Sequence, residues 1–381
     1  MQMRRSVVVS IVMLLITIAL GVLVTMAFQP RPLTPMALSY RAPLFHSFIE
    51  GKSLELRTLA GLEPSSHVPK PTAVWIPGKR PELAVVVSGL VGEASNSLNF
   101  LMVEDVVKEG IPVLILPSPT HWSFAARRLP KDRRIDYRDS VVALCAAYSE
   151  LLATEELRAA FSKEPHGEPQ KVYLMGLSLG ARHAVSMSSC FKNSVSQVRV
   201  FAVNPPTDLR HAGQTIDELT SRLALNRPKA YAVGVLMETM KPIARWLDLD
   251  TALRPLSYFS DSLAYLAGGS FSSRMEQLQT ELETPLDGIS TRQANFSFNI
   301  FMEKGPVTLE NFVEELRSVR KRTGNRLFLL HSRDDFLIRP EDLDVVAKAL
   351  PKRATIVDVG GHGGLVFEPL YRRLVTELIA Q

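Results

Sequence analysis

Short, uninterrupted apolar runs recur along this chain, among them LAVVV at Leu83–Val87 and VLIL at Val113–Leu116. A strand with one wet face alternates apolar and polar residues, whereas a strand covered on both faces has no polar side to show. Runs of this kind restrict the chain to folds built around a doubly covered sheet. Further candidate strands are Leu54–Leu59, Thr72–Ile76, Val172–Met175, Val198–Val203, Leu327–Leu330 and Thr355–Val359. Longer amphipathic segments separate them, near Ser97–Lys108, Asp136–Leu157, Ala181–Phe191, Pro340–Leu350 and Glu368–Ile379. Strands and helices in alternation predict an α/β fold with a mainly parallel sheet flanked by helices.

The alternation breaks between Val203 and Leu327, where the pattern is mainly helical. Thr215-Ile216-Asp217-Glu218 has capping-box spacing, and Thr308–Arg322 reads as a helix with Gly324 placed to stop it. This stretch is too long for an ordinary loop. A helical cap or lid inserted over 210–324 is expected, closing over the carboxyl ends of the strands where ligands bind in such folds. The core is then 54–209 and 325–381. Leu236, Met237 and Met240 near Trp246 read as packing within the cap, and Arg317, Arg320, Lys321 and Arg322 as a solvated helix end.

At the amino terminus, Arg4 and Arg5 precede 23 residues without charge, Ser6–Phe28. About 20 apolar residues cross a bilayer as a helix, and this run is longer than the apolar region of a cleaved signal peptide. Residues 1–30 are therefore expected to be an uncleaved transmembrane signal anchor. Residues 31–53 would form a tether, with Pro30, Pro32 and Pro35 keeping its start extended. The basic flank would stay cytoplasmic and the large domain extracytoplasmic. The remaining composition is ordinary. Lys and Arg total 44 against 39 Asp and Glu, a net +5 over 381 residues, too thin an excess to imply nucleic acid. Cys145 and Cys190 are too few for a zinc cluster; on two predicted helices, they are either free thiols or a disulfide.

The chemistry starts at KVYLMGLSLG, where Gly176-Leu177-Ser178-Leu179-Gly180 matches G-x-S-x-G between a strand and a helix-forming run. A nucleophile elbow needs this strand–sharp turn–helix context to push the serine hydroxyl out above the sheet. A serine nucleophile also needs a base, and the base an orienting carboxylate, in the chain order Ser, Asp or Glu, His. Asp334 and Asp335 lie just past the Leu327–Leu330 strand, and His362 just past the last strand among Gly360, Gly361, Gly363 and Gly364. Asp335 is taken as the acid because an apolar run follows it; Asp334 stays open as the alternative and Asp208 as a secondary one. His331 reads as structural, His183 as packing or solvent-facing, His121 as a lesser candidate for the pocket wall, and Asp358 as unable to reach the serine. Ser88-Gly89-Leu90 follows another strand, so the Leu90 and Leu179 N–H groups are candidate oxyanion donors.

The motifs GLSLG, SGLVG, HSRDDFLIRP and GGHGG resemble those of the α/β-hydrolase family, over about Leu83–Asn204 and Arg326–Gln381. That resemblance implies Ser178 as nucleophile, His362 as general base, Asp335 as its acid, and Leu90 and Leu179 as backbone oxyanion donors. It implies no cofactor and no metal. Ser88 stands where members often have His, and Phe336 where Pro often follows the acid. The expected function is a serine hydrolase acting on a carboxylic ester or thioester of a small-molecule or lipid-like acyl substrate. An acyltransferase with the same triad, or a non-enzymatic binding protein on this fold, is the alternative. Membrane contact through the anchor is the one partner expected besides substrate, and nothing indicates the oligomeric state.

Overall fold

The apolar runs lie side by side in one eight-stranded sheet. The computed structural model describes residues 52–57, 70–90, 97–121, 136–191, 197–215, 307–324 and 326–380, together with Ala94, Phe124 and Arg128. The expected anchor, nearly all of the tether, and residues 216–306 of the expected insertion lie outside the described residues. Among the described residues, no helix is long and apolar enough to cross a membrane.

The strands are β1 (Lys52–Glu55), β2 (Thr72–Ile76), β3 (Glu82–Val87), β4 (Val113–Leu116), β5 (Lys171–Leu177), β6 (Gln197–Val203), β7 (Leu327–Ser332) and β8 (Ala354–Val357). Their order is β1-β2-β4-β3-β5-β6-β7-β8. β1 and β2, and β2 and β4, are antiparallel, and every pairing from β4 to β8 is parallel. Alternation along each strand divides its side chains between two cores. Leu83, Val85, Val87, Val172 and Leu174 join one apolar cluster; Ala84, Val86, Tyr173, Met175 and Leu177 join the other. Runs such as Leu83–Val87 and Val113–Leu116 are thus apolar throughout because both faces of the sheet are dry.

Helices α1 (Ser97–Lys108), α2 (Tyr137–Leu152), α3 (Glu155–Ala160), α4 (Leu179–Met187), α5 (Leu309–Arg322), α6 (Pro340–Ala349) and α7 (Pro369–Ala380) complete the layers. α1 and α7 supply the second cluster, tied together by Tyr371 Oη donating to Met102 O at 2.7 Å. α2, α4, α5 and α6 supply the first. The predicted helix over Asp136–Leu157 is two helices. Asp136 caps α2 by accepting from the Arg138 and Asp139 N–H groups, and Thr154 Oγ1 turns back onto Leu151 O at 2.7 Å between α2 and α3. Cys145 on α2 and Cys190, in the short 3₁₀ turn after α4, form a disulfide with Cα atoms 5.9 Å apart.

The chain leaves the described core and returns to it at one point, since Leu209 N–H donates to Val307 O at 2.8 Å. α5, counted with the insertion on sequence, belongs to the core. Its stripe of Phe312, Val313, Leu316 and Val319 is buried in the cluster that holds α4 and α6, and Arg320 donates to Ala349 O at the end of α6. The physical reason is connectivity. β6 and β7 are parallel neighbours, and a parallel pair needs a crossover, usually a helix, packed on the sheet.

Candidate active site

Ser178 stands alone between β5 and α4 with φ 58 and ψ −129. A non-glycine residue with positive φ costs on the order of 1–3 kcal/mol and persists only where its surroundings hold it. Here the Ser178 N–H donates to Val203 O at 2.9 Å, and Ser178 O accepts from Ala181 N–H at 3.0 Å. The flanking glycines let backbones cross. A Cβ on Gly180 would stand 2.1 Å from Val87 O, and one on Gly176 2.3 Å from Gly180 O. Leu179 opens α4, so its N–H has no intrahelical acceptor and lies at the positive end of the helix dipole.

The other two chemical groups arrive from the carboxyl ends of β7 and β8. His362 Nε2 lies 2.8 Å from Ser178 Oγ, and His362 Nδ1 lies 3.1 and 3.0 Å from the two carboxylate oxygens of Asp335. A carboxylate only accepts, so it holds the imidazole proton on Nδ1 and leaves Nε2 to accept from the serine hydroxyl. The Phe336 ring stands edge-on to the His362 imidazole, centroids 5.6 Å apart.

Asp335 is 3% exposed and its oxygens are otherwise engaged. Oδ1 accepts from Leu337 N–H at 2.9 Å and Oδ2 from Asn204 Nδ2 at 3.0 Å. Burial pushes this carboxyl up, but His362, His331 and the Leu337 N–H outweigh it and hold it below the usual aspartate value. Asp334 turns away from the imidazole: its Oδ1 accepts from the Gly360 and Gly361 N–H groups at 3.0 and 2.7 Å, fixing the start of the His362 loop. Asp208 is not near the imidazole either. It accepts from the Arg210 and His211 N–H groups at the start of the helical stretch over 209–215 and faces Arg339.

Of the other histidines singled out on sequence, His331 and His183 are packing residues. His331 is buried, with Nε2 donating to Pro205 O at 3.1 Å and Nδ1 accepting from Ser332 N–H at 3.0 Å; burial lowers its pKa. His183 is buried in a stack on Tyr137, with Nε2 2.8 Å from Ser140 Oγ, and burial followed by the Arg182 charge pushes its pKa down to about 3. His121 is buried, its own N–H donating to Ser118 O. Asp358 is exposed and lies 3.8 Å from Arg333 Nε.

Leu90 follows a fixed strand end. Ser88 Oγ donates to Leu116 O at 2.8 Å and accepts from Asn99 Nδ2 at 2.9 Å. A Cβ on Gly89 would meet Leu177 O at 3.3 Å and Ser178 Cβ at 3.8 Å, so the Gly89–Leu90 turn abuts the elbow. Among the described residues, no group of three or more His, Cys, Asp or Glu side chains is arranged to hold a metal. Sequence reasoning missed Asn204 and Ser332, both buried beside Asp335; the one signal was Asn204-Pro205 at a strand end, a turn signature.

A strained serine after β5, a carboxylate past β7 and an imidazole past β8 share the carboxyl edge of a β1-β2-β4-β3-β5-β6-β7-β8 sheet. The fold is the α/β-hydrolase fold. No protein-family model matches this chain, and no curated protein does. Several solved structures are similar to it at low identity. The Pyrococcus furiosus esterase Pf2001 aligns with a TM-score of 0.46 and 16% identity, covering 91% of this chain and 92% of the esterase. Est1E from Butyrivibrio proteoclasticus aligns with a TM-score of 0.43 and 11% identity, covering 87% of this chain and 99% of Est1E. The thioesterase domain from the curacin biosynthetic pathway has a TM-score of 0.42 and 13% identity, covering 87% of this chain and all (100%) of that domain. With TM-scores below 0.5, these likenesses assign neither activity nor substrate to this chain.

Proposed function

We propose that this protein is a serine hydrolase that cleaves a carboxylic ester or thioester through an acyl-enzyme on Ser178. The observation that carries the reading is the unbroken chain of contacts from Asp335 through His362 to the Ser178 hydroxyl. In the proposed cycle, His362 Nε2 takes the hydroxyl proton as Ser178 Oγ attacks the acyl carbon, and the carbonyl electron pair moves onto oxygen. The Leu90 and Leu179 N–H groups receive that oxyanion. Asp335 stabilises the imidazolium without taking its proton. The carbonyl re-forms, the alcohol or thiol leaves with the proton from Nε2, and water repeats the sequence to free the acid and Ser178.

The membrane reading is part of the same proposal. The uncharged Ser6–Phe28 run anchors the chain, the catalytic domain lies extracytoplasmically, and the insertion ending at Val307 caps the site. The test is turnover of a series of p-nitrophenyl acyl esters and acyl thioesters, with and without an alcohol acceptor. Wild type is expected to release acid, and Ser178→Ala and His362→Ala each to lose at least about 10³-fold in kcat. Transfer to the alcohol in preference to water would turn the reading toward an acyltransferase. Folded wild type that releases no acyl group from any member would overturn it.

A further inference from the structure

Directly after β6, Asn204 is fully buried and holds φ 46, the left-handed region in which asparagine is over-represented among non-glycine residues. Its backbone N–H donates to Leu330 O at 2.9 Å, so it is locked to the end of β7 just as Ser178 is locked to the end of β6. The side chain then reaches three separate pieces of the site. Nδ2 donates to Asp335 Oδ2 at 3.0 Å and approaches Gly361 O, Ser332 Oγ and His331 Nδ1 at 3.3 Å each, while Oδ1 accepts from Gly363 N–H at 3.4 Å. The amide orientation is fixed by chemistry, because a carboxylate can face only the donor end and an N–H only the acceptor end.

Gly361 and Gly363 are the two chain neighbours of His362. One amide therefore grips the acid and both flanks of the base. We propose that Asn204 is a positioning residue of the reaction, which sets the Asp335 carboxylate and the His362 backbone relative to each other. The proposal rests on the serine-hydrolase reading and assigns Asn204 no contact with substrate. Asn suits the position for three combined reasons. It tolerates positive φ, it is short enough to stay within the strand end, and it presents a donor and an acceptor on opposite sides. Leucine of similar size offers neither hydrogen bond, and aspartate would set a second carboxylate against Asp335. The titratable groups facing Asp335 are His362 and the buried His331, whose Nδ1 is 3.9 Å from Oδ2.

The test is a double-mutant cycle on full-length protein with a p-nitrophenyl ester, read as kcat, KM and the pH profile of kcat/KM. Asn204→Gly keeps the left-handed backbone at ease and removes only the amide. It is expected to lower kcat about 10- to 100-fold with KM within twofold. The acid limb of the profile should move to higher pH, because Asp335 with one donor fewer holds the imidazole N–H more strongly. Introduced into Asp335→Ala, the same change should cost clearly less than in wild type, since only the grip on the His362 flanks is left to lose. If Asn204→Gly does not fold, Asn204→Ser, too short to span both partners, carries the same expectations. Turnover within twofold of wild type with an unmoved acid limb, or an equal loss in both backgrounds, would overturn the proposal while leaving the Ser178 reading intact. Wild type without ester turnover would overturn both.

Discussion

The His362 Nδ1 atom sits 3.0 Å from Asp335 Oδ2, while the adjacent carboxylate of Asp334 binds the backbone of the His362 loop. Two neighbouring aspartates thus serve one histidine in different ways, one through its ring and one through its chain.

That division gives a mutational contrast. Asp335→Ala should lower kcat by about 10³- to 10⁴-fold, because the imidazole loses both its orienting partner and the charge that stabilises its protonated form. Asp334→Ala should cost about 1–3 kcal/mol of stability, from two N–H groups deprived of their acceptor, and less than about tenfold in kcat. Asp334→Asn, whose amide oxygen still accepts, should lie close to wild type. Steady-state kinetics paired with urea unfolding separates the two roles.

Stability should fall as pH falls below about 6.5. His183 is buried and neutral, with its pKa pushed down to about 3, and His331 is lowered as well. The unfolded chain takes up a proton at each site near the ordinary histidine pKa, and the folded chain does not. The His183 contribution is therefore complete above pH 6.5 and declines by about 1.4 kcal/mol per pH unit below it, with His331 acting in the same direction. Asp335 acts in a lower window: with its folded pKa depressed, its contribution is present above about pH 4 and lost on further acidification. Urea midpoints from pH 7.5 to 4.5 measure the slope, and a flat profile over that range would contradict it.

Replacing Cys145 and Cys190 with serine should lower stability by about 2–4 kcal/mol, since the bridge closes a loop of 45 residues in the unfolded chain. Activity should be nearly unchanged, because the bond joins α2 to the 3₁₀ turn beyond the carboxyl end of α4, the end away from Ser178. Non-reducing gel mobility and the kinetics of the double variant check both parts.

Much of this site was legible in local sequence. Ser178 announces itself because a strand, two glycines and a helix must coincide there, and His362 because its loop is built of glycine. The sheet was legible because runs such as Leu83–Val87 must be buried on both faces. What escaped depends on neighbours far away in the chain. The apolar run after Asp335 is only an indirect sign that this aspartate, and not Asp334, faces a ring 27 residues later, since that depends on how the loop after β8 turns back. Asn204 looks like a strand-end turn until the loops after β7 and β8 are folded against it. The placement of α5 is hidden from local sequence for a similar reason. Its amphipathic pattern is the same in a cap or a core, and only the parallel pairing of β6 with β7 decides between them.

The central claim is that Ser178 is a nucleophile activated by His362, and covalent labelling tests it most directly. Full-length protein treated with a fluorophosphonate probe should carry the phosphonyl adduct on the peptide containing Ser178, as read by mass spectrometry. Labelling should be absent in Ser178→Ala and strongly slowed in His362→Ala. Folded wild-type protein that stays unlabelled, or carries the adduct on another serine, would contradict the account.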